Sequence, residues 1–473
     1  MKRYANWQNS IAALVLMFLV SANALAGDSI RLPDYQQVKL KNGITLVLLE
    51  KRDVPLVSFS AAVRGGLVSE PADKNGVASL VAELLQKGAG ERDAIQFAEA
   101  VDAVGGRFNI SAGSEFIGLN GEFMSRDADL MIGLLADVLL RPRLDEAEFQ
   151  KIQTRAIQGI AAMKDADARG LIGTYAEAFV FGEHPYARSS TGSEASLARV
   201  SYKDAKDYAA NNLVADRLLL VVAGDFKAKA MRKRIEKALG GWKAAGKAAA
   251  PVASPARVPG GRVLLVDKPG ATQTYFWIGN VGVSRSDPDA VAIELVNTLF
   301  GGRFTSMLNT ALRIESGLTY GARSSLAMLS QPGSVSIASY TATETTIEAV
   351  DLALEQLRKV REVGFDAASL QSGKTYRQGL YPMGFETAND LAGQIMTLKF
   401  YGLPDSKVND YSSEMDAVTS EKASQVIARI YPKREDMVYV FIGDSQKIKD
   451  QVGIYGEITM MSITDSDWVP GDK

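Results

Sequence analysis

His184 is the single histidine of the chain, and the chain has no cysteine. A catalytic zinc takes three protein ligands from His, Cys and carboxylate, and in peptidases these are usually two His and a Glu. One imidazole cannot serve as two, so no zinc centre of that kind can be assembled from this chain alone. Acidic residues are plentiful, with Asp and Glu numbering 55. None of them, however, form a loop with the spacing of a calcium hand. We therefore expect no metal in this chain. Hydrolysis by a nucleophile finds little support either, since there is no Gly-x-Ser-x-Gly elbow and no Ser-x-x-Lys. His184 sits in Gly182-Glu183-His184-Pro185-Tyr186, where glycine and proline mark a turn, and it reads as a loop histidine satisfied by backbone. Ser372-Gly373-Lys374-Thr375 resembles the end of a phosphate loop, yet Ala368 stands where its first glycine belongs and the surroundings read as helix.

The most ordered string of polar and glycine residues runs from Gly301-Gly302-Arg303-Phe304-Thr305-Ser306 through Arg313 to Gly317-Leu318-Thr319-Tyr320-Gly321. Taken by residue type, Gly301-Gly302 is a turn before a hydroxyl-rich helix start. Arg313 is then a solvated last-turn charge favoured by the helix dipole, and Tyr320 a half-buried strand aromatic.

The elements that would position this string fall into two similar halves. Residues 243–261 (KAAGKAAAPVASPARVPGG) replace periodic apolar patterning with Ala, Pro and Gly. They read as a linker, 246–261 in its narrowest form, between domains at 27–245 and 262–473. The first half opens with Ile44 to Glu50 and Leu56 to Val63, a predicted strand pair. A helix follows from Gly76, with Val77, Leu80, Val81, Leu84 and Leu85 at helical spacing before Gly88. The second half opens with Arg262 to Asp267 and Thr274 to Gly279, then a helix from Ala290 to Phe300. Ala128 to Leu140 and Thr346 to Val360 read as amphipathic helices, and Ser334 to Tyr340 alternates as a strand does. The class is α+β, repeated.

Lys and Arg number 53 against the 55 acids, which leaves no basic excess for nucleic acid or a polybasic membrane patch. Hydrophobic residues make up 47% of the chain, enough for two cores. Met1-Lys2-Arg3, the apolar run Ile11 to Val20 and Ala24-Leu25-Ala26 predict a signal peptide over 1–26, cleaved near Ala26, and hence an exported, periplasmic protein with no membrane span.

Further landmarks are Leu40 to Val47 (LKNGITLV), Val63-Arg64-Gly65-Gly66 with Ser69-Glu70-Pro71, Gly76-Val77-Ala78, Lys87-Gly88 and Val104-Gly105-Gly106. His184-Pro185-Tyr186 with Gly192, Val222-Ala223-Gly224-Asp225, and the Gly301 to Tyr320 string complete them. In this order they resemble the insulinase/pitrilysin metallopeptidase family, especially its small bacterial members and the paired subunits of processing peptidases. The resemblance implies two homologous α+β halves, each a mostly antiparallel sheet backed by helices, enclosing a peptide chamber. Active members carry His-x-x-Glu-His on the first long helix and a glutamate on a later one. The corresponding positions here are Ser79, Ala82, Glu83 and, for the distal ligand, Gly159, so the motif is degenerate and Glu83 is left as a solvated or cavity-facing charge. The family's arginine and tyrosine from the second half correspond to Arg313 and Tyr320. A phenol stays protonated at neutral pH and can donate to an oxyanion, and an arginine can fix a peptide backbone through its forked donors.

Lost metal ligands beside retained donors imply a non-catalytic, zinc-less subunit of a heterodimer. Its partner would be a zinc-bearing homologue, its substrate a peptide, and Gly301 and Gly302 would let the peptide backbone approach. The alternatives are a catalytically silent peptide-binding or assembly scaffold of the same fold, and an independent hydrolase built around His184.

Overall fold

The computed structural model describes residues 30–246 and 249–470; the expected signal peptide lies outside them. In chain order the strands are β1 (Gln36–Lys39), β2 (Thr45–Glu50), β3 (Leu56–Arg64), the two-residue β4 (Gly88–Ala89) and β5 (Arg92–Asp93), β6 (Arg107–Ala112), β7 (Phe116–Met124) and β8 (Leu218–Gly224). The second half adds β9 (Arg262–Asp267), β10 (Gln273–Val281), β11 (Arg323–Met328), β12 (Pro332–Ala342), β13 (Val438–Gly443) and β14 (Glu457–Ser462). They form two six-stranded sheets, ordered β1-β2-β8-β3-β7-β6 and β11-β12-β10-β13-β9-β14, and a small β4-β5 ribbon.

Five strands of each sheet repeat one topology, β2-β8-β3-β7-β6 matching β9-β13-β10-β12-β11. The sixth comes from opposite ends of the chain: β1 pairs antiparallel with β2, whereas β14 pairs parallel with β9. β2 and β3 are not the adjacent pair that their short connection suggested. β8 lies between them, parallel to β2 and antiparallel to β3, and β13 separates β9 from β10 in the same way. The connection Lys51–Pro55 has five residues at up to ~3.3 Å each, enough to step over one strand across the ~10 Å of two strand spacings.

β8 (LLLVVAG) is buried throughout, as a strand covered on both faces must be. One face of the first sheet, with Leu46, Leu48, Phe59, Leu220 and Val222, packs on helices of its own half. The other, with Val47, Leu49, Ala62, Leu219, Val221 and Ala223, is covered by the second-half helix Ala388–Phe400 through Leu391, Ala392, Ile395 and Phe400. The exchange is mutual. One face of the second sheet packs on its own helices, while the first-half helix Ile172–Phe181 lies against β10 and β13 on the other. The two halves are thus interlocked. Among the described residues no helix is long and apolar enough to cross a membrane.

Candidate functional site

Ser79, Ala82 and Glu83 all lie on the helix Val77–Leu84. Its N-terminus is set by Gly76, whose φ of 99° is a left-handed value that glycine adopts without strain. The Glu70 carboxylate beneath it accepts from the Gly76 and Ala78 N–H groups (3.1 and 2.8 Å) and from the Asn75 amide (2.8 Å). Ser79 donates to the Ser190 carbonyl. Ala82 is buried in the core. Glu83, expected as a solvated or cavity-facing charge, keeps its side chain 36% exposed. It is ion-paired with Arg155 on the long helix Glu146–Ala166, and Lys87 is 3.9 Å away. Gly159, one turn beyond Arg155 on that helix, faces open space. A guanidinium thus bridges the two helices, and among the described residues no group of three His, Cys, Asp or Glu could hold a metal. The residues present do not fit zinc.

Burial pushes the Glu70 carboxyl up from 4.5 to about 7, against the Asn75 amide, the Ala78 and Gly76 N–H groups and the Arg188 charge. The folded protein therefore keeps this proton to higher pH than the unfolded chain does. Stability from this group is complete below pH ~4.5 and is lost as pH rises through ~7, roughly 3 kcal/mol over the window. Glu70→Gln has no such proton. Its urea-unfolding free energy should climb relative to wild type by about that amount between pH 4.5 and 7.5, and a constant difference would show that the hydrogen bonds keep Glu70 ionised throughout.

The Gly301 to Tyr320 string is more irregular than a turn and a helix. The helix Ala290–Asn297 passes into a π-helical turn, Thr298–Gly302, and a second π segment, Thr310–Glu315, follows Met307–Asn309. Such segments recur at functional sites. Gly301 is buried, and a Cβ there would fall 2.2 Å from the Ser324 nitrogen of β11. The backbone that approaches it closely is the chain's own. Gly302 is exposed.

Tyr320 is not a half-buried strand aromatic: it lies in the loop before β11 and is 77% exposed. Its backbone is held from below. The Thr341 hydroxyl donates to the Leu318 carbonyl (2.8 Å), and the Ser339 hydroxyl to the Gly321 carbonyl (2.9 Å). The Asn309 amide links the Phe304 carbonyl to the Ala322 N–H. Tyr320 lines a cleft of about 270 Å³ with Tyr275, Arg323 and Tyr340 of its own half and Arg169 and Ile172 of the first. Arg313 does not line this cleft; half-buried, it lies 4.8 Å over the Phe304 ring. Ser79, Ala82, Glu83 and Gly159 are also absent from the lining.

His184 Nδ1 accepts from the Tyr186 N–H (3.1 Å), and Nε2 lies 2.9 Å from the Ala253 carbonyl in the linker. The backbone satisfies both nitrogens, leaving no base for a triad. Arg155 and Arg169 had no motif to mark them, while Glu70 stood in the landmark Ser69-Glu70-Pro71 and Tyr340 at the end of a predicted strand, neither with a role assigned. Arg155 carried one faint signal, its place four residues before Gly159 on a helix.

Residues 46–189 match the insulinase (peptidase family M16) domain, and residues 199–376 match the peptidase M16 inactive domain. An uncharacterized zinc protease of Mycobacterium leprae is 25% identical over 398 residues, covering 84% of this chain and 89% of that protein. The non-peptidase homolog YmxG of Helicobacter pylori is 22% identical, covering 86% and 93%. A solved peptidase M16 inactive domain from Pseudomonas fluorescens superposes with a TM-score of 0.80 at 22% identity, covering 87% and 98%.

Proposed function

Because the chain belongs to the insulinase family, peptidase family M16, we propose that it is the zinc-less subunit of a heterodimeric peptidase, presenting Tyr320 and Arg313 to the metal site of a homologous partner. The observation that carries this reading is an exposed phenol on a clamped backbone. The fold fixes the position of Tyr320 without burying its hydroxyl, which has no hydrogen-bond partner among the described residues. An exposed tyrosine with no outside role has no need of such support.

The partner's zinc supplies the Lewis acid and the activated water. What this chain adds is a proton donor. As the scissile carbonyl becomes tetrahedral, the Tyr320 O–H donates to the new oxyanion, and it is already in place when that charge develops. Arg313 binds a peptide carbonyl through its planar donors, its orientation limited by the Phe304 ring. We place the complex in the periplasm on the basic start, apolar run and small-x-small site of residues 1–26.

The test is reconstitution. Purified chain should leave peptides uncut with or without chelator, and chelator-sensitive cleavage should appear when a zinc-bearing homologue exported to the same compartment is added. Chelator-insensitive cleavage by the chain alone would point to the His184 hydrolase. A homologue whose rate ignores the added chain would point to the scaffold.

A further inference from the structure

The cleft beside Tyr320 has a property that oxyanion donation does not use. Its lining carries two guanidiniums, Arg169 and Arg323, and no carboxylate. Neither forms an ion pair among the described residues, whereas Arg155, Arg358, Arg377 and Arg429 are each taken by an acid. Asp167, close in sequence, accepts from the Arg169 backbone N–H at 3.0 Å and is an acid whose charge is felt at the Tyr275 hydroxyl, so two guanidiniums stand against one neighbouring carboxylate. Arg169 is held in place by the Tyr340 ring, 4.1 Å beneath its guanidinium carbon, and the Tyr275 and Tyr340 rings stand 5.9 Å apart as an aromatic wall.

Two forked cations, one of them seated on an aromatic face, suit one kind of guest: a carboxylate with a short aliphatic stem. Arg169 comes from the first half and Arg323 from the edge strand of the second sheet, so the interlock itself sets their separation. We infer that this cleft binds a carboxylate of the peptide substrate, as an Asp or Glu side chain or a C-terminus, and so selects acidic peptides. The inference rests on the reading of Tyr320 as substrate-facing, and it gives that reading a substrate class.

Calorimetric titration of the purified full chain with three acetylated Ala/Ser decapeptides tests it: one amidated and free of acids, one amidated with a central Glu, and one with a free C-terminal carboxylate. At least one acidic peptide should bind about tenfold or more tighter than the neutral one, the scale of a hydrogen bond to a charged group. The Glu peptide alone gaining would identify the side chain, and the free acid alone the terminus. Arg169→Met and Arg323→Met should each remove most of that preference while leaving the melting temperature unchanged. Equal binding of all three peptides, no binding at all, or an acidic preference that survives both substitutions overturns the inference. Tyr320→Phe separates the two proposals, because it should leave the acidic preference intact. If it also left the rate of the mixed complex intact, the donor role would fall and the carboxylate cleft would stand.

Discussion

Tyr320→Phe should slow peptide cleavage by the mixed complex about 10²–10³-fold, the loss that follows removal of one oxyanion donor, and should leave complex formation unchanged. The substitution deletes a single hydroxyl. Its ring remains at the mouth of the cleft, and the bonds from Ser339 and Thr341 hold main-chain carbonyls of the loop, which Phe retains. An exposed side chain of this kind changes stability by less than ~0.5 kcal/mol, so a lower rate cannot come from unfolding. The loss should fall on kcat, since the bond is made in the transition state and not in the ground state. Steady-state kinetics with sedimentation of the complex checks both halves of the expectation. Undiminished cleavage with Arg313 and Tyr320 both replaced would remove the assigned role.

Ile395→Ala should lower stability by about 2–5 kcal/mol, the usual cost of emptying a fully buried isoleucine site, and much of the effect should be read in the other half of the chain. Ile395 is 0% exposed and belongs to one buried cluster with Val47, Val221 and Ala223 of the first sheet, its helix lying against β3 and β8. Hydrogen exchange of the β3 and β8 amides should therefore quicken, although the substitution lies some 170 residues beyond β8 in a second-half helix. Urea unfolding measures the total, and amide exchange locates it. Protection of the first sheet that ignores the change would mean that the halves unfold independently.

Local pattern gave the elements well and their partners poorly. The apolar spacing of Ala128–Leu140 and the run Arg262–Asp267 coincide with an observed helix and strand. The β2–β3 pairing failed because the strand between them arrives after more than 150 intervening residues. No periodicity within a window of a dozen residues encodes that insertion. The repeat was legible for the same reason that the elements were: both halves present the same order of local signals.

The site divides in a similar way. A count of imidazoles rules out a zinc centre with two histidines without any coordinates. The His184 turn also holds, since proline and glycine act over two or three residues. The Glu83–Arg155 pair was out of reach, because it joins two helices whose mutual face depends on packing. Tyr320 read as a strand residue because its neighbours Leu318 and Thr319 are apolar or branched. The clamp that ends the loop before the strand begins is made by hydroxyls of β12, some 20 residues further on.

The helix Ala388–Phe400 closes a sheet whose last strand ends at Gly224, and this fixes an order of events during synthesis. At 5–20 residues per second, roughly 10–30 s separate the emergence of β8 from that of the helix that covers it. Throughout this interval a strip of Val47, Leu49, Leu219 and Val221 has nothing of its own chain to lie against. A nascent polypeptide stalled or truncated before Ala388 should be sticky, bind holdase chaperones and fail to yield a soluble first half, whereas the finished chain can close both sheets at once.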